Sequence, residues 1–149
     1  MSKKAAEVKA NHFAATVRAK GGKGEARAVR RTFQTPAVIY GDKQPPVMIA
    51  IDANRLRLES QKPGFFTRMF DIEVEGKMHQ VLPRDVQLHP VTDMPEHADF
   101  LRVSGNTRVR VAVPVVFINQ ASSPGLKRGG TLNVVQHKLD LWCQAAKIP

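Results

Sequence analysis

Cys143 is the only cysteine among 149 residues. One thiol closes no internal disulfide, which fits a reducing compartment. No run of about 18 apolar residues occurs, so no segment is expected to span a membrane. Met1-Ser-Lys-Lys-Ala-Ala-Glu7 carries positive charge but no apolar stretch behind it, so no secretory signal is expected. The five histidines (His12, His79, His89, His97, His137) show no ligand spacing with a cysteine or carboxylate cluster. No metal and no cofactor is therefore expected. Internal repeats are absent as well.

Acidic residues are scarce relative to basic ones. Asp and Glu number 13 against 23 Lys and Arg, a net charge of +10. That balance points to a polyanionic partner. Its distribution separates a binding surface from ordinary solubility. Residues 1–35 hold nine Lys or Arg and two acids, so most of the excess sits in the first quarter of the chain. The charge is localised, as an electrostatic footprint is. A hydrophobic fraction of 42% is enough to fill a core.

Residues 1–11 read as a flexible basic tail. Phe13, Ala15 and Val17 alternate with Ala14, Thr16 and Arg18, a strand pattern. Lys20-Gly-Gly-Lys-Gly24 breaks it. Glu25 to Phe33 follows as a helix, with Ala26, Val29 and Phe33 on one face and Arg27, Arg30 and Arg31 on others. Ala37 to Tyr40 and Val47 to Ile51 read as strands around a turn at Gly41-Asp42. Asp52 suits the N-cap of a short helix through Ser60 with Leu56 inward. Phe70, Ile72 and Val74 pair across Gly76-Lys77 with Met78 to Leu82. Asp85 to Leu88 is extended, His89 to Pro95 is a loop, and Ala98 to Val103 is a further strand. The sum is six or seven short strands and two short helices: a mainly β (α+β) fold, best met by a small barrel.

Ser104 to Thr107 reads as a linker between a first domain, residues 1–103, and part of a second β domain, residues 108–149. There, Val109 to Phe117 alternate with Pro114 as an edge or bulge signal. Thr131 to Val135 and His137 to Trp142 read as two more strands. About 43 residues lie near the lower limit for independent folding.

Two constellations could carry chemistry. Gly21-Gly-Lys-Gly24 opens a helix, where glycines and free backbone N–H groups suit a phosphate. No Ser or Thr follows a Gly-Lys pair, so the nucleotide-binding loop is excluded. A plain turn explains the glycines alone; Arg27, Arg30 and Arg31 behind them favour a helix that docks in a nucleic-acid groove. Regular A-form RNA hides its base edges, so such a helix needs an irregular, widened groove. Tyr40 fits a core position and an RNA-facing one equally.

His97 and Asp99, two apart on a strand, share a face. An enzyme could use them as an oriented base. No nucleophile, second acid or metal set accompanies them, so catalysis is not expected. On a basic surface Asp99 and Asp85 could instead accept hydrogen bonds from guanine, with a structural carboxylate as the alternative for both.

Four segments occur in an order that resembles a known family. They are Gly22-Lys-Gly-Glu-Ala-Arg-Ala-Val-Arg30, Pro36-Ala-Val-Ile-Tyr-Gly41, Asp85-Val-Gln-Leu-His-Pro90 and His97-Ala-Asp-Phe-Leu-Arg-Val103. Together they resemble the bacterial ribosomal protein L twenty-five family, including its longer CTC general-stress relatives. Ser123 to Gly130 looks like the second domain of the longer forms, which here is expected to be incomplete.

The resemblance implies a six-stranded barrel like the anticodon-binding domain of glutaminyl-tRNA synthetase. It implies binding to the loop E region of 5S ribosomal RNA, at the central protuberance of the large subunit. Neighbouring ribosomal RNA and proteins would be further partners, with no membrane and no small-molecule substrate. The implied location is the bacterial cytoplasm or an organelle matrix. By position, the RNA-contacting residues are Arg18, Lys23, Arg27, Arg30, Tyr40, Asp85, Gln87, His97 and Asp99. Ala26 stands where shorter members often have serine, which removes one hydroxyl contact. A general stress factor that binds RNA off the ribosome is the alternative function.

Overall fold

The computed structural model describes residues 11–18, 21–104 and 107–148. Its principal element is a closed six-stranded barrel. The strands are β1 (His12–Val17), β2 (Gln34–Gly41), β3 (Gln44–Asp52), β4 (Phe70–Val74), β5 (Lys77–Leu88) and β6 (Pro95–Arg102). They close in the order β1-β3-β2-β6-β5-β4, with β1–β4 and β2–β6 parallel and the other pairs antiparallel. The mainly β barrel read from the sequence is the observed fold.

Alternation produces it. Phe13, Ala37, Ile39, Ile49, Ile51, Phe70, Ile72, Val81, Ala98 and Phe100 point inward and form one buried cluster. A six-stranded barrel has room for side chains only, so its lumen is this core. Phe13 and Phe65 each sit 5.2 Å from Phe70, ring centre to ring centre. Helix α2 (Ala53–Ser60) caps the cluster with the fully buried Leu56. Its N-cap is Asp52, whose carboxylate accepts from the Arg55 N–H at 2.7 Å, as the sequence indicated. Buried Thr35 is satisfied by donating from Oγ1 to the Pro95 carbonyl at 3.1 Å.

The hairpin turns lie one residue from their expected places. Asp42 and Lys43 take φ of 57° and 54°, and Glu75 and Gly76 take 50° and 77°. Two successive left-handed residues match the right-handed twist of the flanking strands. Met78–Leu82 and Asp85–Leu88 prove to be one strand, β5. Pairing with β4 ends at Val81, so Pro83, which has no N–H to donate, interrupts no ladder on that side.

Helix α1 (Lys23–Arg31) starts two residues earlier than expected and stops two residues earlier. Phe33 is not on its apolar face. It adopts φ 56° to turn the chain into β2, and it is 67% exposed. The helical period runs on through Phe33 in the sequence, but Thr32 already caps the helix.

A two-stranded sheet follows, β7 (Arg108–Pro114) against β8 (Lys138–Gln144). Between them lies a short helical turn, α3 (Pro124–Lys127). Thr131–Val135, expected as a strand, is irregular, and Val135 is 88% exposed. The segment alternates apolar and polar residues but has no strand to pair with among the described residues. Val116 to Ile118 likewise leave the ladder after Pro114 and are exposed. Val109, Val111 and Ala145 pack on Leu82 and Val103 of the barrel side. A buried Val or Leu contributes about 1.5–3 kcal/mol, so this seam holds the small sheet to the barrel wall. Residues 1–10, most of the expected tail, and Gly105-Asn106 of the expected linker lie outside the described residues.

Candidate nucleic-acid interface

The outer face of β5 and β6 changes character along its length. On β6, His97, Asp99 and Leu101 point outward, because Ala98 and Phe100 point into the core. Leu101 and, across from it, Leu82 lie at the end covered by the second sheet. The other end is polar and open. Asp85 stands opposite Asp99, and Gln87 opposite His97. Four of the nine expected contact residues therefore form one cross-strand patch.

A bulge makes that patch. Pro83 pairs with Phe100, and Asp85 with Asp99, so Arg84 is the extra residue. Without it Asp85 would face the lumen, since a one-residue shift reverses the face of every later side chain. Arg84 leaves the ladder and its Nη1 donates to the Arg110 carbonyl at 2.7 Å, linking barrel and small sheet.

Within the patch, His97 Nδ1 and Asp99 Oδ1 are 3.2 Å apart, with both side chains about a third exposed. This fixes the carboxylate while leaving it open to a ligand. The pair lies on the outer barrel wall. Three cavities, of about 350, 260 and 190 Å³, are lined by other residues. Among the described residues no group of three or more His, Cys, Asp or Glu could hold a metal, and no helix is long and apolar enough to cross a membrane.

Helix α1 flanks the patch. Arg30 donates from Nε and Nη2 to the Glu96 carbonyl, at 3.0 and 2.9 Å, immediately before His97. Arg30 is thus first an anchor that seats α1 beside β6; a guanidinium has five N–H donors, and two are used here. At helical spacing Lys23, Arg27 and Arg31 follow one another along the side of α1 next to Arg30. All three are exposed and hold no hydrogen bond or ion pair among the described residues. Half-buried Ala26 and Val29 form the opposite, seated side. Gly22, at φ 123°, opens the helix, and among the described residues no side chain caps its first N–H groups.

Tyr40 is not a core residue. It stands on the outer face of β2 opposite Leu101 and is 37% exposed. Arg18 lies farther round the wall. It is half-buried at the end of β1, where its N–H donates to the Met48 carbonyl at 2.9 Å. The same methionine borders Gly21, so Arg18 and the start of α1 converge there. Arg31, one of the three arginines that favour a groove-docking helix in the sequence, is absent from the contact set that the resemblance implies. Its signal was available: it is four residues past Arg27 and eight past Lys23, on the same stripe.

Among the described residues one titratable group is displaced from its ordinary range. His79, at the far end of β5 from Gln87, is held low, by burial first and then by Arg102 and Lys77. The unfolded chain therefore takes up a proton more readily than the fold. Stability is expected to fall as the pH drops below the ordinary histidine value near 6.5. In His79→Gln the melting temperature should fall less between pH 7.5 and 5.5, about one unit either side of that value. An unchanged pH response would contradict this.

Arg30→Lys tests the anchor. The charge stays but the two-pronged contact goes, so stability is expected to drop by about 0.5–1.5 kcal/mol in denaturant melts. A residue serving only as a phosphate contact would leave stability unchanged.

The Ribosomal L25p family model matches residues 13–100. The model for the C-terminal domain of ribosomal protein TL5 matches residues 108–149. A large ribosomal subunit protein bL25 of Rhodospirillum rubrum is 52% identical over 139 residues, 90% of this chain and 66% of its own length. A protein of the same name from Mesorhizobium japonicum is 53% identical over 135 residues, 91% of this chain and 63% of its own. That of Azorhizobium caulinodans is also 53% identical, over 91% and 65%. The chain thus spans just under two thirds of the length of these relatives. With barrel and sequence in agreement, the chain belongs to the Ribosomal L25p family.

Proposed function

We propose that this chain is a structural constituent of the large ribosomal subunit that binds the loop E region of 5S ribosomal RNA at the central protuberance, in the bacterial cytoplasm. The observation that carries the reading is the side-by-side placement of two unlike surfaces. One is the Lys23–Arg27–Arg31 stripe of α1. The other is the Asp85–Gln87–His97–Asp99 patch, joined to it through the Arg30–Glu96 contact.

The two surfaces divide the work of RNA recognition. Phosphate contacts fix register and supply affinity, and contacts to base edges supply specificity. Exposed arginines beside the α1 N-terminus suit the phosphates of a widened groove. Carboxylates and an amide suit base edges, because only an acceptor takes the N1 and N2 hydrogens of guanine. An acid within a basic interface costs affinity for phosphate, so its place there is explained by selection among bases. Arg18 and Tyr40 extend the surface on two sides, Arg18 toward the backbone and Tyr40 toward a ribose or phosphate. Neighbouring ribosomal RNA and proteins are the remaining partners. The work is binding, not catalysis.

In this reading residues 1–103 form the RNA-binding unit, 104–107 the linker and 108–149 a separate β unit. A folded chain lacking residues 107–149 is expected to bind 5S RNA within about threefold of the parent, because α1 and the β5–β6 patch precede the cut. It should melt lower, since Leu82 and Val103 lose their cover. Lost binding in a folded truncation would overturn the assignment. Co-sedimentation with large subunits separates the ribosomal role from that of an RNA-binding stress factor. A chain that stays at the top of the gradient while still binding free RNA would favour the second.

A further inference from the structure

Phe33 occupies a position that glycine would fill at less cost. Its φ of 56° lies in the left-handed region, which glycine enters freely and a bulky side chain does not. The other non-glycine residues of positive φ among those described are Asp42, Lys43, Glu75, Asp93 and Asn119, all polar. Burial does not offset the strain, because the Phe33 ring is 67% exposed. Strained positions of this kind gather where a ligand is held.

Phe33 borders the cavity of about 190 Å³, together with Arg30, His89, Thr92, Met94 and Glu96. Its place in the barrel follows from a second bulge. Gln87 pairs with His97 and Leu88 with Pro95, so Glu96 is an extra residue of β6. The Glu96 carbonyl is the one that Arg30 holds. The cleft therefore opens at the joint between the α1 stripe and the β5–β6 patch, and it shares Arg30 with the first.

We propose that this cleft takes one unpaired base of the bound RNA, with the Phe33 ring stacked on its face. The volume equals about six waters at about 30 Å³ each. That is the bulk of a single heterocycle, well below the roughly 300–1,000 Å³ of a small-molecule pocket. Phe33 and Met94 supply apolar wall for the faces of a base, and polar groups supply partners for its edge. His89 Nδ1 accepts from the Val91 and Thr92 N–H groups at 3.2 and 3.3 Å. The neutral imidazole therefore carries its proton on Nε2, a donor for a base oxygen or ring nitrogen. Arginines on the adjoining helix favour a nucleotide over an apolar protein segment, since a nucleotide brings a phosphate with it. The site rests on the 5S RNA reading and adds to it a base-stacking residue outside the Asp85–Gln87–His97–Asp99 patch.

Phe33→Gly separates this role from a structural one. Strain is relieved, so the melting temperature should not fall. Affinity for a 5S fragment containing the loop E region should nevertheless drop about five- to hundredfold, as the loss of one base–aromatic stack requires. The salt slope should stay parental, because no phosphate contact is removed. Phe33→Tyr should keep the affinity, and Phe33→Leu, apolar but without a ring, should lose most of it. Abasic replacement of each nucleotide of the fragment in turn should find one position that costs the parent about as much as Phe33→Gly. At that position the variant should lose nothing further. Parental affinity in Phe33→Gly, or no abasic position that couples to Phe33, would overturn the site. So would intact binding of the fragment with lost co-sedimentation on large subunits, which would make Phe33 a contact to another component. The 5S reading fails differently: the parent itself would then not prefer the loop E fragment to a scrambled one, and the base site would fall with it.

Discussion

Raising the salt from about 50 to about 200 mM is expected to weaken binding to 5S RNA about 250-fold. The estimate follows from about 5 neutralised phosphates, which give a log–log slope near −4. Five is the number supplied by Arg18, Lys23, Arg27, Arg31 and the α1 N-terminus, with Arg30 partly spent on Glu96. Removing one of these groups should make the slope shallower by about one. Arg27→Ala is the cleanest removal, because Arg27 is exposed and holds no partner whose loss would disturb the fold. Its binding energy should fall by about 1–3 kcal/mol on cognate and scrambled RNA alike, with an unchanged melting temperature. A flat salt response of the parent would contradict the electrostatic account. An Arg27 variant with the parental slope would remove that arginine from the set.

Asp99→Asn should behave in the opposite way. The substitution keeps size and shape, and replaces an acceptor with a donor on one side. Against a guanine edge that donor meets donors, so cognate affinity should fall by about 1–3 kcal/mol, the cost of leaving a buried polar group unpaired. Scrambled RNA should bind slightly better, because a negative charge has left a basic surface. The partner of Asp99 within the protein is His97. If that contact were the whole purpose of Asp99, the variant would melt lower and lose equally on all RNAs. Melting temperature and two affinities thus separate a base reader from a structural carboxylate.

The barrel was legible because alternation is a local property. Phe70, Ile72 and Val74 declare their face whatever strand lies beside them. Asp52 and Leu56 were legible for the same reason: a cap and a helix face need only their near neighbours. What the sequence could not show depends on closure of the sheet. Asp85 reaches the side of Asp99 only because Arg84 bulges from β5, and a bulge is set by the partner strand. Phe33 kept the helical period but ended in a left-handed turn. Thr131–Val135 had a strand's alternation but has no partner strand among the described residues. Arg30 carried the charge of an RNA contact, and its first task is to seat α1. Tyr40, open between core and surface in the sequence, is outward because Ile39 took the core position beside it.

The most direct test compares two RNAs at one salt concentration. One is a 5S fragment containing the loop E region; the other has the same length, composition and flanking helices with that loop scrambled. A surface that joins an arginine stripe to a base-reading patch should bind the first tighter by on the order of a thousandfold, the lower end of what specific nucleic-acid complexes reach. Equal affinities would mean that the face made by α1, β5 and β6 holds RNA by charge alone, and would contradict the central claim.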